Sequence, residues 1–167
     1  MAEIENDIAM RRLAEFLAQK RLASPSGDRR VEKLKRWWSV SSRILTNSAT
    51  QREAARVLHA FAQVLLEIPA THFRRFINFG PQLVSSPHVD GGTWRFTVKV
   101  KPRQRYVNLR IIYLPPDFDD FTDERLVYAI AHEVAHIVDN PNPLEPREKA
   151  EDRADALLKE WGFTDPL

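Results

Sequence analysis

The stretch from Leu126 to Val138 is apolar almost all the way round a helix, yet it carries His132, Glu133 and His136. Its apolar members, Leu126, Val127, Ala129, Ile130, Ala131, Val134, Ala135, Ile137 and Val138, predict a largely buried helix. Ionisable groups on such a helix need a partner, so whatever fold the chain adopts must bring one. The three residues form the pattern H-E-x-x-H. At about 100° per residue, His136 lies roughly 40° around the axis from His132 and one turn further on, so both imidazoles reach one metal ion. Glu133 stands about 60° from His136, flanking the metal, where it can take a proton from a water whose pKa a zinc ion lowers to about 7. The bland alternative is a solvated helix face that happens to carry His and Glu. The apolar neighbours speak against it.

A second helix offers the missing ligand. Glu151-Asp152-Arg153-Ala154-Asp155 places Glu151 and Asp155 four residues apart, hence on one face. A carboxylate from Glu151 completes a His₂Glu site and leaves a fourth position for water, as catalytic zinc requires. Asp155, one turn on, is placed to accept the distal N–H of a ligand imidazole, which would fix its tautomer and raise its basicity. Glu148 and Asp152 repeat the same spacing, so Glu148 is the competing ligand. Glu151 is preferred because its face also carries the small Ala154 and the apolar Leu158.

Taken together, His132, Glu133 and His136 followed by Glu151 and Asp155 resemble the H-E-x-x-H…E-x-x-x-D signature of the gluzincins, the thermolysin-like zinc metallopeptidases. The resemblance covers about the last third of the chain, and its alanine-aspartate ending is similar to that of the prenyl-protein and housekeeping endopeptidase branch. It implies that His132, His136 and Glu151 bind zinc, that Glu133 is the general base, and that Asp155 supports a histidine ligand. It also implies that an edge strand binds the peptide substrate in extended form, a part that one strand of the Trp94–Tyr113 region can take. The oxyanion-stabilising donor is not identified by the motif. Tyr128, one turn before His132, is a candidate, with a core tyrosine as the plainer reading; His72, His88 and Arg110 have less support.

Bulk properties bound the rest. A chain of 167 residues suits a single compact zincin-like domain spanning 1–167. The acidic start, Met1 to Asp7, shows no secretory signal, and no apolar run approaches the roughly 20 residues of a membrane span. With no Cys, thiolate ligands and disulfides are excluded. A soluble, cytoplasmic protein is expected. The net charge of +2 hides an asymmetry: residues 1–75 carry +6, residues 76–115 carry +5 and residues 116–167 carry −9. Either the acidic metal-site segment packs beside the basic part, or the basic part serves a nucleic acid or acidic partner. The second option sustains a rival function, a nucleic-acid-associated or scaffold protein with a structural or regulatory zinc site.

The periodicity predicts an α+β fold. Three helices come first, Ile4 to Leu22, roughly Asp28 to Leu45, and about Thr50 to Ile68, with Ser24 to Gly27 as a linker and Pro69 as a stop. Trp37 and Trp38, beside basic residues, read first as core and second as a base-stacking surface; His59 reads as structural. Trp94, Phe96, Val98 and Val100 alternate with Arg95, Thr97 and Lys99, then Val107, Leu109, Ile111 and Tyr113 alternate again, predicting a small antiparallel sheet with a turn at Pro102 to Arg105. Ser85 to Gly92 reads as a loop and Pro115 to Asp117 as the end of the sheet. Asp119, Asp120 and Thr122 are candidate caps for the H-E-x-x-H helix. The last helix is expected from near Pro146 to Trp161, with Gly162 in the left-handed cap position.

Overall fold

The computed structural model describes residues 29–30, 32–34, 36, 51–79, 82–85, 92–100, 105–114, 118–139 and 144–166. The expected Ile4–Leu22 helix, the Ser24–Gly27 linker, Trp37 and Trp38, the loop at 86–91, the turn at 101–104 and the segment Pro115–Asp117 lie outside the described residues. Of the expected second helix, the described positions between 29 and 36 are helical.

Helix α1 spans Gln51–Glu67. Its Val57, Phe61, Val64 and Leu65, continued by Ile68, repeat every three or four residues and are buried, one stripe of a 3.6-residue helix. Each such side chain contributes roughly 1.5–3 kcal/mol by leaving water. Pro69 ends α1 as expected, but it also opens a helix that the sequence reading did not place: α2, Ala70–Phe79. The Pro69 carbonyl accepts from Phe73 N at 2.9 Å, so the residue without an N–H stands where a helix start needs no donor. Phe73 and Phe76, three apart, bury one face of α2. Arg30 closes the junction by donating from Nη1 to the carbonyls of Leu66 at 3.2 Å and Ile68 at 2.9 Å, which satisfies the orphan carbonyls at the end of α1.

The H-E-x-x-H helix is α3, Asp123–Asp139. Thr122 caps it: its Oγ1 accepts from Arg125 N at 3.2 Å. Asp123 and Glu124 complement the helix dipole in the first turn, and Arg56 of α1 donates to Asp123 at 2.6 Å and to the Phe121 carbonyl. Leu126, Ile130, Ala131, Val134, Ala135, Ile137 and Val138 are buried, and α3 packs on α1, α2 and the last helix, α4, Arg147–Trp161. The end of α4 is a Schellman motif. Gly162 has φ 83°, its N–H donates to Lys159 O at 3.2 Å, and Phe163 N donates to Leu158 O at 3.0 Å. A side chain at Gly162 meets open space but a strained backbone.

Three strands, β1 (Gln82–Ser85), β2 (Gly92–Val100) and β3 (Arg105–Leu114), pair in the order β1-β3-β2. β2 and β3 are antiparallel with Trp94 opposite Ile111 and Val98 opposite Val107, whereas β1 runs parallel to β3, with Gln82 opposite Ile111.

The expected α+β fold with a small antiparallel sheet is therefore corrected. The part of the protein whose side chains are defined is mostly helical, and Ile112 is the one strand residue among its described core side chains. The strands pair through their backbones in a mixed arrangement, and the described core is made by helix packing on α3. The apolar stripes of α1, α2 and α4 are buried by packing on α3, which is why helices dominate the described core. No helix among the described residues is long and apolar enough to cross a membrane.

Candidate metal centre

Two helices that fold back on each other build the site. Moving one turn along α3 from His136 to His132 corresponds to moving one turn along α4 from Glu151 to Asp155: His136 Nε2 is 3.2 Å from Glu151 Oε2, and His132 Nδ1 is 3.5 Å from Asp155 Oδ1. Small residues let two helices approach closely, and Ala131 and Ala135 on α3 and Ala154 on α4 are fully buried, as is Leu158 one turn on from Ala154.

Three atoms converge. His132 Nε2 lies 3.0 Å from Glu151 Oε2 and 3.1 Å from His136 Nε2, which closes the triangle with the 3.2 Å His136–Glu151 edge. The imidazoles meet edge to face, with centroids 4.7 Å apart. If the Asp155 carboxylate holds a proton on His132 Nδ1, the lone pair of Nε2 faces the other two donors. Three electron-rich atoms this close repel one another unless a cation or a shared proton stands among them. Four-coordinate zinc with bonds of about 2.0–2.1 Å has donor–donor edges of about 3.3 Å, and the observed edges are within a few tenths of that. The donor set of two imidazoles and one carboxylate thus fits a zinc ion in composition and size.

Glu151 divides its oxygens. Oε2 faces the histidines, and Oε1 accepts from Arg147 Nε at 3.1 Å. Burial alone would raise the Glu151 carboxyl, but the Arg147 hydrogen bond and the neighbouring His136 and His132 outweigh it and hold the group below its ordinary value. It is therefore an anion at neutral pH. Glu148, the competing residue, is exposed, as is Asp152. Asp155 stands behind His132, its 3.5 Å separation being longer than a formed hydrogen bond. Glu133 is half-buried on α3 between the two histidines in sequence.

Tyr128, one turn before His132, is half-buried. Its hydroxyl is pushed up by burial and then by Asp155 and Asp165, which places it in the field of the carboxylate behind His132. His72 has another occupation: its Nδ1 accepts from Trp161 Nε1 at 2.9 Å, joining α2 to the end of α4. His59 is exposed on α1. His88 and the Arg110 side chain lie outside what is described. Arg147 was missed in the sequence, although its i,i+4 spacing from Glu151 was the available signal.

No protein-family model, curated protein or solved structure matches this chain.

Proposed function

We propose that the protein is a zinc-dependent peptidase that hydrolyses peptide bonds. The observation that carries this reading is the triangle of His132 Nε2, His136 Nε2 and Glu151 Oε2, with edges of 3.0–3.2 Å, built on a helix that also bears Glu133. His132, His136 and Glu151 would hold the ion. A bound zinc supplies a Lewis acid for the scissile carbonyl and brings the pKa of water near 7. Glu133 then accepts the proton of the attacking water and returns it to the leaving amine, the work of a general base that becomes a general acid. Asp155, 3.5 Å from His132 Nδ1, would orient that ring on closing to hydrogen-bond distance. β2 is an edge of the described sheet and approaches α3, so its outer backbone suits an extended peptide added as a further strand.

The test joins metal analysis to digestion of a peptide library. The purified protein should carry one zinc per chain and cleave peptides, and Glu133→Gln should keep the metal and the fold while losing cleavage. Absence of metal after expression with zinc, or cleavage by Glu133→Gln at the wild-type rate, would defeat the reading.

A further inference from the structure

Arg153 lies about 200° around α4 from Glu151 and forms ion pairs with two carboxylates. Its Nε donates to Asp139 Oδ2 at 2.9 Å, Nη1 donates to Glu145 Oε1 at 2.7 Å, and Nη2 donates to Glu145 Oε2 at 2.5 Å. The Glu145 contact is a two-pronged fork, the geometry that makes an Arg–carboxylate pair directional as well as strong. Both carboxylates are largely covered, with side-chain exposures of 18% for Asp139 and 22% for Glu145, so solvent screens the network less than a surface pair. The fork holds the Glu145 carboxyl well below its ordinary value, and the two carboxylates hold the guanidinium charged.

The positions of these three residues give the network its meaning. Asp139 is the last residue of α3, one turn beyond His136, and Glu145 lies just before α4. Arg153 is two residues after Glu151. One guanidinium therefore ties the end of the histidine helix, the chain entering the glutamate helix, and the glutamate helix itself. Apolar packing of Ala154 and Leu158 on α3 presses the helices together but tolerates sliding along their axes, because it is non-directional. Hydrogen bonds from a planar fork do not tolerate it. A slide of about 1.5 Å, one residue of helix rise, would take Glu151 Oε2 out of the triangle.

We infer that Arg153, held by Asp139 and Glu145, is a positioning residue that sets the axial register of α4 on α3 and so delivers Glu151 to the two histidines. The inference rests on the metal-binding reading above. It makes metal affinity depend on a residue that touches neither the ion nor a ligand side chain.

The experiment measures zinc affinity by competition with a chelator, and the melting temperature of the metal-free protein, for wild type, Arg153→Lys, Arg153→Met and Arg56→Met. Arg56 ties the other end of α3 through Asp123 and Phe121 and serves as the control for a lost tether remote from the site. Cobalt substitution adds a readout of geometry through its visible absorption. The expected result is zinc affinity at least about 10-fold weaker in both Arg153 variants, comparable to loss of a group supporting a metal ligand. Arg153→Lys should also show an altered cobalt spectrum, since a point charge cannot hold the fork. Arg56→Met should keep wild-type affinity and spectrum whatever its melting temperature. Wild-type affinity and spectrum in both Arg153 variants would overturn the inference, and so would equal losses in the Arg56 and Arg153 variants, because affinity would then simply follow stability. If wild type itself binds no zinc, the metal-binding reading fails, and this inference fails with it.

Discussion

The two sides of α3 are built on different physics. On one side it carries Leu126, Ile130, Val134 and Ile137, all buried and all apolar; toward α4 it presents His132 and His136, half-buried beside a carboxylate. The first side depends on area removed from water, which is additive and forgiving of small shifts. The second depends on three atoms within about a bond length of a common point, which is neither. A helix anchored firmly on one side can carry an electrostatically costly arrangement on the other, and the division lets each side be broken separately.

The largest break is on the apolar side. Phe61 is fully buried in α1, and Phe61→Ala should cost about 3–5 kcal/mol, read by denaturant unfolding of the metal-free protein. A loss below about 1 kcal/mol would mean that α1 does not anchor α3 as described. On the polar side, His132→Ala should leave metal-free stability within about 1 kcal/mol of wild type, the ordinary range for a change outside the apolar core. It should also abolish the stabilisation by zinc, which for wild type at about 100 times the dissociation constant amounts to roughly 2.7 kcal/mol. An undiminished zinc-induced shift in His132→Ala would remove that residue from the site.

Asp155→Ala sharpens the comparison further. Loss of the carboxylate behind His132 should weaken zinc binding about 10- to 100-fold, whereas exposed Asp152→Ala should do little. Equal effects would reduce Asp155 to a nearby surface charge. The smallest effect is one of pH. The Glu145 carboxyl is held down by its hydrogen bonds from Arg153 against an opposing contribution from burial, then by the charges of Arg153 and Lys149. Because the folded value is depressed, this stabilisation is fully present above the ordinary value of 4.5 and is lost as pH falls through the lower folded value. The stability of the metal-free wild type should therefore drop more steeply below about pH 4.5 than that of Glu145→Gln; superimposable profiles would show the carboxylate to be energetically idle.

Local chemistry accounts for what the sequence revealed. Gly162 reads as a left-handed cap because few other residues take positive φ, and Thr122 reads as a cap because a hydroxyl ahead of an apolar helix has an orphan N–H to accept. The same locality made Glu151 a better candidate than Glu148, since the face it shares with Ala154 and Leu158 is the face that packs. What escaped was set by distant partners. Pro69 carries the same signal whether one helix ends or another begins, so α2 was invisible beside α1. The four residues of β1 are too few to show an alternation, and their parallel pairing with β3 leaves no mark in the strand itself. The packing of α1, α2 and α4 on α3 joins segments far apart in the chain, which no single segment records. Arg153 chooses Asp139 and Glu145 from a segment crowded with acids, and spacing alone cannot say which.

The bond from Trp161 Nε1 to His72 Nδ1 gives this architecture a built-in reporter. Trp161 ends α4 about 15 Å along the axis from Glu151, and its partner stands on α2, outside the pair of helices that carries the donors. An indole proton held in this way exchanges with solvent more slowly while the bond between α4 and α2 is closed. Its exchange rate therefore reports on the seating of the end of the glutamate helix, in the metal-free protein and away from His132 and His136.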